Sequence, residues 1–322
     1  MLFIISTIMG TCISISSTSW FGAWLGLEIN MLSFIPLLKM KKMSSESMIK
    51  YFITQSLASM ILLFMILMNS NMAPKMELLI PYSMIMNCAL LMKLGSSPFH
   101  FWLPEVIEGI SWMNSLILLT WQKIAPFILL FYSTKSSYII VISSIMSSIT
   151  GSILGFNQTS LKKILAYSSI NHMGWMLAAS LYSMTLWVLY FFIYTIINVF
   201  IIYSLNTLQL MNVKSMYKIL NNTDKISLTT NLLSLGGLPP FLGFFPKWII
   251  IMSLSSNSMK LIVFMLITFT LISLFFYLRI CLSLITFSKM EYQVKTNPTS
   301  NFTSLLMNSM NIMSLPICLM IF

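Results

Sequence analysis

Five ionisable residues lie far inside apolar stretches of the sequence, where a charge is costly. A charged side chain at the centre of a bilayer costs about 2.5–3.5 kcal/mol on insertion scales. Four such charges together cost about 10–14 kcal/mol, comparable with the stability of a whole ordinary domain. A cost of that size indicates a function, and groups that gain and lose protons suit a proton relay. These residues are Glu28, Lys93, Lys123, His172 and Lys247.

Simpler roles remain open for some of these groups. Glu28 and Lys93 could form a static buried ion pair that only holds two helices together. His172 could equally be a packing residue whose ring nitrogens are satisfied locally. Lys123 has no acidic residue on its own apolar stretch, so a structural pair is a weaker explanation there.

Two stretches share the pattern Gly-x-x-Pro-Phe-x-x-x-x-Pro. It begins at Gly95 and returns at Gly237, an offset of 142 residues (237 − 95). Because proline lacks an amide hydrogen, we expect Pro98, Pro239 and Pro240 to break or bend the helices that contain them. Paired broken helices in the two halves of a membrane protein indicate a transport path at the repeat interface.

The breaks leave backbone groups without their helical partners. The adjacent prolines of the second copy free the carbonyls of Leu235 and Gly236, which is costly in lipid. Such carbonyls are tolerated only where protein or water supplies hydrogen-bond donors. We therefore expect local hydration beside Lys93 and Lys247.

The composition tells us which elements carry these residues. Of 322 residues, 57% are hydrophobic and only 8% are charged, whereas a soluble chain carries about 25% charged residues. This predicts an all-α polytopic membrane protein, one transmembrane domain over 1–322 with repeat halves of about 1–132 and 133–285. Apolar windows of about 20 residues give eleven spans: 2–19, 21–38, 48–68, 78–104, 112–132, 137–156, 161–181, 184–206, 227–254, 259–285 and 303–322.

Charge in the connecting segments predicts the orientation. The formal net charge is +11, from 18 basic and 7 acidic residues; in a soluble protein it would suggest nucleic acid, but here a membrane orientation explains it. Loops after even-numbered spans hold eleven lysines and loops after odd-numbered spans hold three. The N-terminus then faces the cytoplasm-equivalent side and the C-terminus the opposite side. Spans four and nine cross in opposite directions, so the repeat is inverted, as in secondary transporters.

Metal and nucleotide sites lack their usual signatures. The four cysteines are far apart with no C-x-x-C, and there are only two histidines. This argues against iron–sulfur, zinc and haem sites and against a disulfide framework. Neither G-x-G-x-x-G nor a P-loop occurs, which argues against a bound nucleotide.

Five motifs together resemble the antiporter-like membrane subunits of respiratory complex I, NADH:ubiquinone oxidoreductase. They are GLEINMLSFIPLL, KLGSSPFHFWLPEV, TWQKIAP, NQTSLKKILAYSSINHMGW and GGLPPFLGFFPKW. They follow the family's order over residues 20 to 285. Eleven spans and the 29 methionines resemble the animal mitochondrial form.

The resemblance implies a proton-pumping module of the mitochondrial inner membrane, with its N-terminus in the matrix and its C-terminus in the intermembrane space. It implies no redox centre here; NADH, FMN, iron–sulfur clusters and ubiquinone belong to other subunits. The implied partners are membrane-arm subunits, with chain 4 and chain 4L as neighbours, accessory subunits and lipids. The residues match the family's membrane glutamate (Glu28), its partner lysine (Lys93), the central lysine (Lys123), a relay histidine (His172) and the broken-helix lysine (Lys247).

The expected mechanism is electrostatic. Separation of Glu28 from Lys93 changes the field on Lys123, whose proton moves through ordered water and His172 toward Lys247. Two other functions stay open. One is an independent sodium or potassium/proton antiporter with the same inverted repeat, and the other is a passive scaffold subunit.

Overall fold

The computed structural model describes residues 2–38, 44–71, 82–133, 137–219, 222–256 and 259–286. Within these ranges the chain is almost entirely α-helical, with one 3-10 helix over Val213–Lys218 and one isolated bridge between Ser160 and Asn212. The α-helices are α1 (Leu2–Ser16), α2 (Trp20–Leu38), α3 (Ser44–Asn71), α4 (Tyr82–Leu94), α5 (Trp102–Gly109), α6 (Trp112–Leu119), α7 (Trp121–Ser133), α8 (Ser137–Phe156), α9 (Leu161–Ser180), α10 (Met184–Thr207), α11 (Asn222–Gly236), α12 (Phe244–Ser256) and α13 (Lys260–Thr286).

The predicted all-α membrane architecture is confirmed. Each of the first ten predicted spans coincides with one described helix or a consecutive pair of them. The eleventh, 303–322, lies outside the described residues, so the count of eleven stays a prediction. Six described stretches are long and apolar enough to cross a bilayer: Trp20–Leu38, Ser45–Met68, Trp112–Ser133, Tyr138–Phe156, Met184–Thr207 and Lys260–Leu284.

Both predicted breaks are present, and both begin at a glycine. Gly95 after α4 has φ +70° and Gly237 after α11 has φ +79°, a left-handed conformation that costs glycine little. The amide of the residue after each glycine then donates to the carbonyl five residues before it. The Ser96 amide donates to the carbonyl of Leu91 at 3.2 Å, and the Leu238 amide donates to that of Leu233 at 3.4 Å. The repeated motif therefore ends both helices with the same backbone turn.

A third interruption was not predicted. The stretch 112–132 is expected as one continuous span, but α6 ends at Leu119 and α7 begins at Trp121. Thr120 lies between them with φ −114° and ψ −75°, and its hydroxyl donates to the Leu116 carbonyl at 2.7 Å. A threonine hydroxyl that bonds the preceding turn competes with helical geometry. As a result Lys123 lies in the first turn of α7.

The described helices form two compact units, which divide between Met146 and Ser147. In the first, α1 packs closely along α2, α3 packs against α2, α4 and α5, and α4 packs against α7. In the second, α9 packs against α10, α12 and α13 and is buried on nearly every side. A helix buried all round lies at the centre of its bundle.

Candidate functional site

In the first unit, α4 and α7 bring two of the predicted relay lysines to one cavity. Lys93 is 7% exposed and Lys123 is 2% exposed. Both line a small cavity with room for about one water molecule, together with the polar side chains of Asn30, Gln55 and Gln122. A buried cavity with several polar groups is where ordered water is expected.

Amide side chains organise the polar side of this cavity. Gln122 Nε2 donates to Asn30 Oδ1 at 2.9 Å, which joins α7 to α2. Gln55 Nε2 donates to the Lys93 carbonyl at 3.3 Å, which joins α3 to α4. An amide offers both donors and acceptors, so these groups can hold water between the two amines. The cavity is chemically suited to proton exchange between Lys93 and Lys123.

Glu28 makes no contact ion pair with Lys93. It lies on α2, half-buried, next to the cavity-lining residue Leu27. The salt bridges of Lys50 within 4.0 Å do not involve this pair. Any attraction between Glu28 and Lys93 in the described structure therefore acts over more than 4.0 Å.

The salt bridges of Lys50 hold α5 to α3 and were not predicted. Lys50 Nζ lies 2.6 Å from Glu46 Oε1 on its own helix and 2.7 Å from Glu105 Oε2 on α5. Glu105 is the first-repeat counterpart of Lys247 (247 − 142) and is exposed. The two equivalent positions thus carry opposite charges in different surroundings.

Neutral groups satisfy the helix end at the first break. The carbonyl of Met92 accepts from Trp102 Nε1 at 3.1 Å, and the carbonyl of Lys93 accepts from Gln55. His100 lies in this break and is buried, but neither of its ring nitrogens makes a hydrogen bond of ordinary geometry. The Lys93 ammonium is therefore not what ends α4.

The side chain of Lys247 holds the second break. Lys247 Nζ on α12 donates to the carbonyl of Gly236 at 2.9 Å and to that of Leu235 at 3.3 Å. These are the two carbonyls that the sequence predicts to be freed, and the expectation of a nearby donor is met by the lysine itself. A positive charge at a helix C-terminus is also favoured by the helix dipole. Lys247 is buried, with 7% of its surface exposed.

His172 lies at the centre of the second unit. It is on α9, buried, and its Nδ1 is 2.8 Å from Tyr190 Oη on α10. The ring of Tyr194 lies 5.2 Å from the imidazole, centroid to centroid. Since α9 packs against α12, His172 and Lys247 lie on neighbouring helices. The tyrosines were missed by sequence reasoning because an aromatic residue in an apolar helix gives no signal of a polar contact.

Metal-binding groups do not cluster in the described ranges. No set of three or more histidine, cysteine, aspartate or glutamate side chains there could hold an ion. The described site offers amines, imidazole, amides, hydroxyls and the carboxylate of Glu28.

The chain matches a known family along most of its length. The family model for NADH:quinone oxidoreductase/Mrp antiporter transmembrane proteins matches residues 17–273. A relative from Anopheles gambiae is 44% identical, over 94% of this chain and 92% of its own. A relative from Locusta migratoria is 45% identical, over 100% of this chain and 93% of its own. A relative from Lemur catta is 42% identical, over 88% of this chain and 85% of its own. All three are called NADH-ubiquinone oxidoreductase chain 2.

Solved structures share the fold. A chain of respiratory complex I from Thermus thermophilus with bound aureothin superposes with a TM-score of 0.84 at 21% identity, over 98% of this chain and 77% of that one. A chain of the Mrp complex from Dietzia superposes with a TM-score of 0.77 at 14% identity, over 92% of this chain and 61% of that one. With its curated relatives and the family model, the chain belongs to the NADH:quinone oxidoreductase/Mrp antiporter transmembrane family, among the chain 2 proteins of NADH-ubiquinone oxidoreductase.

Proposed function

We propose that this chain translocates protons across the mitochondrial inner membrane as an antiporter-like core subunit of respiratory complex I. Its relatives are named as subunits of NADH-ubiquinone oxidoreductase. The observation that carries the proton-moving role is the polar cavity that Lys93 and Lys123 share. In this proposal NADH, FMN, iron–sulfur clusters and ubiquinone are bound by other subunits, and this chain contributes only ionisable groups.

The first unit works as an electrostatic switch. The negative charge of Glu28 favours the protonated form of Lys93. When that influence weakens, the Lys93 proton passes through water in the cavity to Lys123. Two unit charges about 8 Å apart interact by about 2 kcal/mol at an effective dielectric constant of about 20, which is enough to shift a proton between two amines.

His172 and Lys247 continue the relay in the second unit. Imidazole exchanges protons near neutral pH, and an ammonium can give up its proton. Lys247 is the last relay group in the described residues, and its protonated form holds the end of α11. Proton transfer at this lysine is thus tied to the shape of the broken helix.

The surroundings of the chain are part of the same proposal. Chain 4 and chain 4L are its neighbours, with other membrane-arm subunits, accessory subunits and lipids around them. The N-terminus faces the matrix and the C-terminus the intermembrane space. The supporting observation is the eleven-to-three distribution of lysines between the two sets of loops.

Lys123→Met in complex I reconstituted into liposomes tests the function. Methionine keeps the length and the packing but removes the proton carrier. We expect assembled complex at its normal amount and fewer protons pumped per NADH oxidised. Lys260→Met is the matched control, because Lys260 is exposed at the start of α13 and should leave pumping unchanged. Normal pumping by Lys123→Met would favour the scaffold, and cation transport by the isolated chain would favour an independent antiporter.

Lys93→Met separates a switch from a structural pair. The loss of a switch lowers the proton-to-electron ratio or slows coupled turnover while the complex still assembles. The loss of one partner of a structural pair destabilises the subunit by about 3–5 kcal/mol and prevents assembly. Assembled complex and pumping are measured in the same preparation. Normal values for both would contradict either role.

A further inference from the structure

One buried hydroxyl makes a hydrogen bond to His172. Tyr190 lies on α10, is 2% exposed, and its Oη is 2.8 Å from His172 Nδ1. The ring centroids of the two residues are 6.0 Å apart. A hydrogen bond in such a dry place is stronger than in water, and a buried tyrosine hydroxyl without any partner would be costly.

Two buried tyrosines of α10 lie beside the imidazole of His172. The ring centroids of Tyr190 and Tyr194 are 6.0 Å and 5.2 Å from that of His172. Tyr190 Oη also makes the hydrogen bond to Nδ1. Both of these contacts to the His172 ring therefore come from α10.

A phenol hydroxyl can bond to imidazole in both of its protonation states. In the tautomer with Nδ1 protonated, neutral His172 donates its Nδ1–H to Tyr190 Oη, and Nε2 is the nitrogen that accepts a proton. The relay proton then binds and leaves at Nε2, where one N–H bond forms and later breaks. The hydrogen bond from Nδ1 to Tyr190 is kept in both charge states.

We propose that Tyr190 is a positioning residue for proton relay, which holds the His172 ring in place in both charge states through its hydrogen bond to Nδ1. This inference rests on the proposed role of His172. A purely packing role needs only the aromatic ring, since phenylalanine would fill the same space. The hydroxyl is therefore the group to remove.

Tyr190→Phe in reconstituted complex I is the test. We expect normal assembly, an unchanged KM for NADH, and a rate of proton pumping that falls about fivefold to tenfold, the worth of one buried hydrogen bond. Tyr203→Phe on the same helix is the control, because Tyr203 is exposed and its hydroxyl should not matter. Unchanged pumping by Tyr190→Phe would overturn the inference. So would a loss of pumping that only follows a loss of assembled complex.

His172→Phe and the double variant show whether Tyr190 acts through His172. If it does, the double variant pumps no more slowly than His172→Phe alone. Additive losses mean that Tyr190 acts independently, and they overturn the inference. Normal pumping by His172→Phe removes His172 from the relay, so the proposed function fails at that residue. Slow pumping by His172→Phe with normal pumping by Tyr190→Phe refutes the positioning role alone.

Discussion

Gly237→Ala should damage the second break in two ways at once. An L-residue in the left-handed conformation of Gly237, φ +79°, costs about 1–2 kcal/mol. The new Cβ would also lie 2.8 Å from Lys247 Nζ and 3.0 Å from its Cδ, so the side chain has to move. Movement breaks the bonds of the ammonium to two carbonyls, each worth about 1.5–3 kcal/mol. Together these effects lower the stability of the folded protein by at most about 4–8 kcal/mol.

The neighbouring glycine provides a control within the same turn. A Cβ on Gly236 would meet its nearest atoms at 3.6 Å or more, an ordinary contact, and its φ is not positive. Gly236→Ala should therefore be neutral or slightly stabilising, by up to about 1 kcal/mol.

The amount of assembled complex on native gels and its apparent melting temperature measure the effect. We expect Gly237→Ala to lower both, and to slow proton pumping in whatever complex remains, while Gly236→Ala matches the parent. Equal behaviour of the two variants would refute the claim that Lys247 holds the end of α11.

Two further changes test the first unit. In Gly26→Leu the first side-chain carbon would lie 2.5 Å from the Ser14 amide nitrogen, so α1 and α2 must separate. We expect stability to fall by about 1–3 kcal/mol or more and less complex to assemble. Cys12→Leu on the exposed side of α1 is the control and should have no effect. Gln122→Leu removes the 2.9 Å bond to Asn30 in the cavity; we expect a cost of about 1–3 kcal/mol and slower pumping at normal NADH affinity, and normal pumping would show that the cavity carries no proton.

The spans and both breaks could be predicted because their signals are local. Apolar length sets a span, and a proline removes a donor at a known position. The end of α6 at Thr120 could not be predicted, because a threonine within a helix bonds the preceding turn in some surroundings and not in others. The sequence likewise identifies the carbonyls that the second break frees, but the donor depends on where the Lys247 side chain folds back.

Contacts between residues far apart in the sequence could not be predicted either. Gln55 and Lys93 are 38 residues apart in sequence, and Lys50 meets Glu105 across two helices. Such pairs depend on the rotation of each helix about its axis, which periodicity predicts poorly when a helix is apolar on all sides. An attraction between Glu28 and Lys93 is expected from charge alone, whereas the lack of a contact ion pair between them could be read only from the structure.

The two broken helices end in different ways, and this decides which of them can respond to a proton. The end of α4 is bonded by the neutral indole of Trp102 and the amide of Gln55, whereas the end of α11 is bonded by the amine of Lys247. Of these three groups only the amine gains and loses a proton near neutral pH. A charged donor makes a stronger hydrogen bond than a neutral one, so loss of the Lys247 proton would weaken its bonds to the two carbonyls. In the proposed relay, proton transfer is therefore coupled to the end of α11, while the end of α4 stays unchanged.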